Sequence, residues 1–363
     1  MYKALTVKVI DVLEKNTDYQ KLKTDGGSGR AYLYLCSFPP VKKGEYVKVN
    51  TTAEVLRLGT GGWDIVLSTE HDNYILPGRG HIMKARYTPF QHSVHSVDDP
   101  HHPDYGIFQQ SFSLKQFPVL LAELHSMLPI LLGAVSMEND RLNIGVVLSD
   151  EASLAAGLSD HMMEWKQRSN VWVVTAGQAF GGCMEAVNVV NAMQWLVLKK
   201  RVDLLILSMG PGTTGTNTPY GFSGMALAEW ANLIGSLEGM PFWVPRLSFH
   251  TTRERHYGLS YHTLTPLHSF TYARSTLVLP SMEGQKRAYV KQQLPPLYTK
   301  EHVIIAEENI DSWCENWLEW YQSNGKKVIS MGTGVTSDPD FIKGVLAPLA
   351  YILRKQEVRK DGL

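Results

Sequence analysis

Leu204-Leu205-Ile206-Leu207-Ser208-Met209-Gly210-Pro211-Gly212-Thr213-Thr214-Gly215-Thr216-Asn217-Thr218 is an apolar run that ends in a glycine- and threonine-rich loop. A short run with no polar alternation is apolar on both faces, the pattern of a strand buried within a parallel sheet. The loop then falls at the carboxyl end of that strand, the edge where open α/β sheets bind ligands. The pairing recurs. Ile144–Leu148 leads into Ser149, Asp150 and Glu151, and Val171–Thr175 into Ala176-Gly177-Gln178-Ala179-Phe180-Gly181-Gly182, with Glu185 just beyond. Trp243–Phe249 leads into His250-Thr251-Thr252-Arg253-Glu254-Arg255-His256, and Val328–Met331 into Gly332-Thr333-Gly334. Ser275–Leu279 and Val303–Ala306 are further apolar strands. Helical stretches are expected at Ala152–Met163, Cys183–Lys199, Ser223–Leu237, Ser312–Tyr321 and Phe341–Leu353. Residues 114–363 therefore read as a Rossmann-like α/β domain, a mostly parallel sheet flanked by helices. Trp313, Trp317 and Trp320 follow helical spacing and form a core-facing stripe.

The amino-terminal part has a different texture. Val7–Val12, Ala31–Leu35, Glu45–Val49, Glu54–Leu58 and Trp63–Leu67 read as five short strands, separated by Asp25-Gly26-Gly27, Pro39-Pro40, Lys43-Gly44 and Gly59-Thr60-Gly61-Gly62. They predict a small β-barrel over residues 1–83, with a hairpin across the Gly59–Gly62 turn. Residues 84–113 read as a connector rich in proline and histidine. His92, His95, His101 and His102 match no tetrahedral zinc spacing, so no metal site is expected.

Lys and Arg total 35 and Asp and Glu total 35, which argues against a general polyanion binder. Nucleic-acid binding is the weaker expectation. It would need Tyr32, Tyr34, Phe38 and Tyr46 on the barrel surface beside Lys42, Lys43 and Lys48. Cys36, Cys183 and Cys314 lie far apart with no CxxC pair, which points to a reducing, cytoplasmic location. The most apolar stretch, Phe117 to Val135, carries Glu123, His125 and Pro129 and does not read as a membrane span.

Two segments carry the candidate chemistry. In the first, Gly210, Gly212 and Gly215 have GxGxxG spacing after a strand, and Thr213, Thr214 and Thr216 add hydroxyls, so backbone N–H groups can approach an anion. A dinucleotide fingerprint is disfavoured, because Pro219 intervenes, the next helix starts late and no ribose-binding acid follows the next strand. A Walker loop fails for want of a Lys-Ser/Thr pair. The competing reading is a packing turn. In the second, Arg253 and Arg255 offer planar forks for a carboxylate or phosphate, and His256 and His262 can move protons near neutral pH. Ser260 and Asp150 complete the catalytic candidates. Gln178, Gly181, Gly182 and Gly332 join the ligand-binding candidates from neighbouring loops. The competing readings are a surface loop with capping hydroxyls and a carboxylate at a helix terminus.

In combination these motifs resemble a bacterial family catalogued as domain of unknown function 3866. The resemblance rests on Asn50-Thr51-Thr52-Ala53, Leu58-Gly59-Thr60-Gly61-Gly62, Gly80-His81-Ile82-Met83, Thr175 to Gly182 and Glu185-Ala186-Val187. It continues through Gly210-Pro211-Gly212, Gly215-Thr216, Gly221-Phe222-Ser223-Gly224, Arg253-Glu254-Arg255-His256, Gly258-Leu259-Ser260, His262-Thr263 and Met331-Gly332. It spans almost the whole chain, leaves out the histidine-rich connector and implies no activity or catalytic residue.

Two function classes follow. The first is an enzyme acting on a small anionic or phosphorylated metabolite at the strand carboxyl ends. The second is a non-catalytic ligand-sensing or protein-interaction protein. No cofactor is named by any motif, and a homo-oligomer is the expected assembly.

Overall fold

The computed structural model describes residues 1–56, 62–71, 73–76, 80–330 and 332–361. The chain divides into two compact units, 1–99 and 100–363.

The first unit holds a closed barrel of β1 (Ala4–Lys15), β2 (Tyr19–Thr24), β3 (Arg30–Tyr34), β4 (Tyr46–Asn50) and β5 (Asp64–Thr69), in the order β1-β2-β3-β5-β4. Val7 and Val9, Ala31 and Leu33, and Val47 and Val49 alternate into its core, as the two-residue period of a strand requires. A short helix, α1 (Thr52–Val55), stands where the start of a fourth strand was expected at Glu54–Leu58. The rest of that strand and most of the Gly59–Gly62 turn lie outside the described residues. The fifth strand is instead β2, whose buried side chains are largely polar. Gln20 bonds both the N–H and the C=O of Val41, and Lys21 bonds Glu14. Tyr32 and Phe38 are buried, so only Tyr46 of the proposed stacking set is well exposed. A two-stranded ribbon, β6 (Ile82–Lys84) and β7 (His92–Val94), completes this unit.

The second unit is built on eight parallel strands. In chain order its elements are β8 (Pro118–Ala122), α2 (Met127–Glu138), β9 (Ile144–Ser149), α3 (Asp160–Trp165), β10 (Val171–Thr175), β11 (Met184–Glu185) and α4 (Val189–Trp195). There follow β12 (Leu204–Met209), α5 (Ala226–Ser236), β13 (Met240–Trp243), β14 (Leu247–Ser248), β15 (Gly258–Leu259), α6 (Tyr261–Ser269) and β16 (Ser275–Pro280). Last come α7 (Gly284–Gln293), α8 (Pro295–Tyr298), β17 (Val303–Glu308), α9 (Asp311–Asn324), the ribbon β18 (Ile329–Ser330) and β19 (Thr333–Gly334), and α10 (Pro339–Asp361). The sheet order is β11-β10-β9-β12-β8-β13-β16-β17, with every pairing parallel.

The pleat sorts each apolar strand onto two faces. Leu120, Ala122, Val146, Ile206 and Val278 share a core with α2, α9 and α10, where Trp317 is fully buried and Trp313 and Trp320 pack at its edge. The alternate residues Val119, Leu121, Val147 and Leu205 are also buried, on the face covered by α4 and α5. Three strand expectations need correction. Trp243–Phe249 is broken after Trp243, because Pro245 cannot donate a ladder bond. Val328–Met331 contributes only the small β18–β19 ribbon and not the main sheet, and Met331 itself lies outside the described residues. The central strand β8 was not foreseen. The chain leaves β8 for β9, runs outward through β10 and β11, returns to β12 beside β8, then crosses to β13. The sense of winding therefore reverses around β12, β8 and β13, which opens a crevice at their carboxyl ends.

Candidate functional site

Three residues that follow or face those strand ends form a buried ionic cluster. Glu123 is the first residue after β8, Arg246 follows β13 and Pro245, and His262 sits in the first turn of α6. Each is less than a tenth exposed. Oε1 of Glu123 accepts a hydrogen bond from Nδ1 of His262 at 2.8 Å and one from Arg246 Nη1 at 3.5 Å. A carboxylate oxygen accepts, so Nδ1 of His262 carries the proton of that bond. The imidazole lies flat on Phe222, with centroids 3.9 Å apart and an interplanar angle of 1°. The glycine-rich loop passes beside this ring at Gly215, where an added methyl would make only ordinary van der Waals contact. A Cβ on Gly215 would lie 3.6 Å from Cε1 of His262.

The arginine–histidine segment packs against this cluster. Burial, reinforced by Arg246, His262, Arg255 and Arg253, holds the His256 pKa down at about 3, so its ring is neutral. Nε2 of His256 accepts from Arg255 Nε at 3.2 Å, which leaves Nδ1–H to donate to Ser260 Oγ at 2.8 Å. Ser260 is fully buried and its hydroxyl oxygen also accepts from the His262 N–H at 3.1 Å, capping α6. That is a positioning task rather than the setting of an exposed nucleophile. Arg255 Nη1 donates to Asn217 Oδ1 at 2.6 Å and Thr216 O at 3.4 Å, tying the segment to the glycine-rich loop. Arg253, Arg246 and His256 line a cleft of about 500 Å³, opposite Ser248, Thr333 and Asp338. Among the described residues no carboxylate lies within ion-pairing distance of Arg253 or Arg255. The cleft is therefore cationic at Arg253, whereas Arg255, Ser260, His262 and the Gly210–Thr216 loop do not line it.

The Gly210–Thr218 loop is partly closed on itself. Thr214 N–H bonds Ser223 Oγ at 3.1 Å and Thr216 N–H bonds Gly221 O at 2.7 Å. The amides of Gly212, Thr213 and Gly215 find no acceptor among the described residues. Gly212 has φ +89°, and a Cβ there would meet nothing within 4 Å. Gly210 differs: its Cβ would fall 2.5 Å from the Ser153 carbonyl oxygen. Gly332, also at φ +89°, turns the β18–β19 ribbon, whose Thr333 and Gly334 line the cleft.

The loop after β10 is occupied by the chain's own acceptors. Asp150 accepts from Gln178 N–H at 2.7 Å, Glu185 from Gly181 N–H at 2.8 Å, and Thr175 Oγ1 from Gly182 N–H at 3.0 Å. Asp150, Gln178, Gly181 and Gly182 do not line the cleft that Arg246, Arg253 and His256 share. Candidate ligand atoms of His250, Asp338 and Asp340 lie within 4.8 Å of one another, but Lys286 already bonds both oxygens of Asp340 at 2.7 and 2.8 Å.

Glu123, Arg246 and His125 were not singled out from sequence. The available signal was a lone ionisable residue interrupting an apolar run beside a strand end. His125 lines a small recess with Gly212 and Thr213. Burial holds its pKa down at about 4, so Nδ1–H donates to Met209 O at 3.2 Å and Nε2 accepts from Ser159 Oγ at 2.5 Å. Among the described residues no helix is long and apolar enough to cross a membrane.

The chain matches no curated protein. The family model described as protein of unknown function (DUF3866) matches residues 30–348, and the chain belongs to that family.

Proposed function

We propose that this member of the DUF3866 family is an enzyme acting on a small anionic or phosphorylated metabolite in the cleft at the strand carboxyl ends. Arg253 and Arg255 neutralise the anion, and the amides of Gly212, Thr213 and Gly215 approach it from the facing loop. His262 moves the proton from Nε2, while Glu123 fixes its tautomer and offsets the charge that forms. Arg246 pairs with the same Glu123 oxygen at 3.5 Å. His256 stays neutral and holds Arg255 and Ser260 in place. The observation that carries the reading is the buried 2.8 Å bond between Glu123 and His262, in a segment where Arg253 and Arg255 have no carboxylate partner among the described residues. The second reading, a ligand sensor without turnover, draws support from Ser260, whose buried hydroxyl is already spent on His256 and the α6 cap.

A thermal-shift screen of the purified chain with orthophosphate, pyrophosphate, sugar phosphates and nucleotides tests it. A compound at 100 times its dissociation constant stabilises by about 2.7 kcal/mol. The expected result is a shift that Arg253→Ala/Arg255→Ala abolishes. His262→Asn keeps that shift and loses turnover of the same compound. No shift with any of these compounds in the unmodified chain overturns the anion site. A shift without turnover supports the sensor.

A further inference from the structure

A cavity in the 100–363 unit lies at the amino-terminal edge of the sheet, away from Glu123 and His262. It encloses about 1150 Å³ and is lined by residues at the amino-terminal ends of strands, Pro118 of β8, Met240 of β13 and Arg274 just before β16, with the last turns of α10 alongside.

Two independent features mark it. The first is backbone conformation. Lys115, Gln116 and Glu238 have φ of +47°, +63° and +58°, three of the six non-glycine residues described with positive φ, and all three line this cavity. Lys115 and Gln116 are the centre of a tight turn closed by Phe117 N–H to Leu114 O at 2.9 Å, where Asn-Gly is the unstrained choice. The Gln116 N–H and its side-chain amide both donate to Glu238 O, at 2.8 and 3.1 Å, so the two strained segments brace each other. Long side chains held at such positions at a free-energy cost point to a function for them.

The second feature is charge. Lys115, Arg274 and Lys355 line the cavity, and among the described residues none has a carboxylate within ion-pairing distance. The nearby Glu238 carboxylate accepts from the Ser113 hydroxyl at 2.6 Å. Between these cations the wall is apolar and aromatic, with Phe117, Met240 and Tyr351 inside and Tyr272, 78% exposed, at the rim.

We propose that this cavity is a second ligand site, for a small amphipathic organic anion. The apolar body of the ligand lies against Phe117, Met240 and Tyr351, and its anionic group sits among Lys115, Arg274 and Lys355. The site does not depend on the reading of the carboxyl-edge cleft.

A fluorescence titration with 8-anilinonaphthalene-1-sulfonate, an aromatic sulfonate, tests it. The expected result is saturable binding of one dye per chain, displaced by decanoate and much less by decanol. Arg274→Ala/Lys355→Ala, both on exposed side chains, weakens dye binding at least 10-fold. Arg253→Ala/Arg255→Ala leaves it unchanged. Absence of saturable binding overturns the proposal. So does equal affinity in the Arg274→Ala/Lys355→Ala chain, equal displacement by decanol, or loss of binding in the Arg253→Ala/Arg255→Ala chain.

Discussion

The carboxylate of Glu123, just past β8, accepts a 2.8 Å hydrogen bond from His262, which lies 139 residues further along the chain at the start of α6. Neither residue has a local reason to be where it is. Glu123 leaves the sheet edge among apolar neighbours, and His262 is placed by the Ser260 cap and by Phe222 stacked on its ring. The second oxygen of Glu123 is buried with no partner among the described residues. A carboxylate left half satisfied in the interior costs free energy, and that cost is the kind a reacting site carries.

Glu123→Gln is expected to destabilise the chain strongly. The amide still accepts from His262, but Arg246 loses its counter-charge while buried. Breaking a buried ion pair on one side costs about 3–5 kcal/mol. Glu123→Gln combined with Arg246→Met removes the stranded charge and should recover much of that loss. Urea unfolding of both single variants and the double variant reads the coupling. Simple addition of the two single effects would mean that the pair contributes no interaction energy.

Acid stability follows from two neutral histidines. The pKa of His125 is held down at about 4 and that of His256 at about 3, in both cases mainly by burial. An unfolded chain protonates histidine near pH 6.5, so below that pH the unfolded state binds more protons than the folded one. Their contribution is fully present above about pH 6.5 and declines as the pH falls, by up to about 1.4 kcal/mol per pH unit for each ring. Both rings contribute from about pH 6.5 down to about 4, and His256 alone from there to about 3. Urea midpoints measured at pH 7.5, 6 and 5 should fall less steeply in His125→Asn and in His256→Asn than in the parent. Superimposable slopes would show that the folded chain already protonates these rings.

The alternation of strands and helices was legible because apolar runs such as Leu204–Met209 end abruptly at glycine. The central strand was not. Phe117 to Val135 is apolar apart from Glu123, His125 and Ser126, and a strand buried on both faces has no periodicity to separate it from the buried helix α2 that follows. Missing β8 meant missing the position of Glu123. In the barrel, β2 was hidden by its composition, since Gln20, Lys21 and Thr24 are buried polar residues whose partners come from elsewhere in the fold. The loops after β10 and β12 looked alike in sequence. Only the structure shows that one spends its amides on Asp150, Glu185 and Thr175, while the other leaves three without a partner among the described residues.

Two glycines of the loop after β12 should respond differently to alanine. At Gly212 the added Cβ meets nothing within 4 Å, so the cost is that of a positive φ alone, about 1–2 kcal/mol. At Gly210 it falls 2.5 Å from the Ser153 carbonyl oxygen, and backbone must move. Gly210→Ala should therefore lower the urea midpoint well beyond Gly212→Ala. Gly212→Ala should instead reduce the thermal shift produced by a bound phosphate compound, because it turns the loop amides away from the anion. Equal losses of stability in the two variants would make the loop a packing element throughout.

Arg255→Ala separates binding from folding. The side chain is half-buried and its partners are the His256 ring, Asn217 and the Thr216 carbonyl, the last two exposed, so its removal strands no buried charge. Stability should change by less than about 0.5 kcal/mol, as for most surface substitutions. If Arg255 meets an anion in the cleft, the variant loses a charge-assisted hydrogen bond, and affinity falls by about 1.5–3 kcal/mol, or roughly 10- to 150-fold. Arg255→Lys keeps the charge but cannot reproduce the fork that spans His256 and Asn217, so its affinity should lie between the two. Isothermal titration with the phosphate compound from the thermal screen, alongside urea unfolding, gives both quantities. An alanine variant that binds as tightly as the parent would remove Arg255 from the anion site and leave it as a tether between the arginine–histidine segment and the glycine-rich loop.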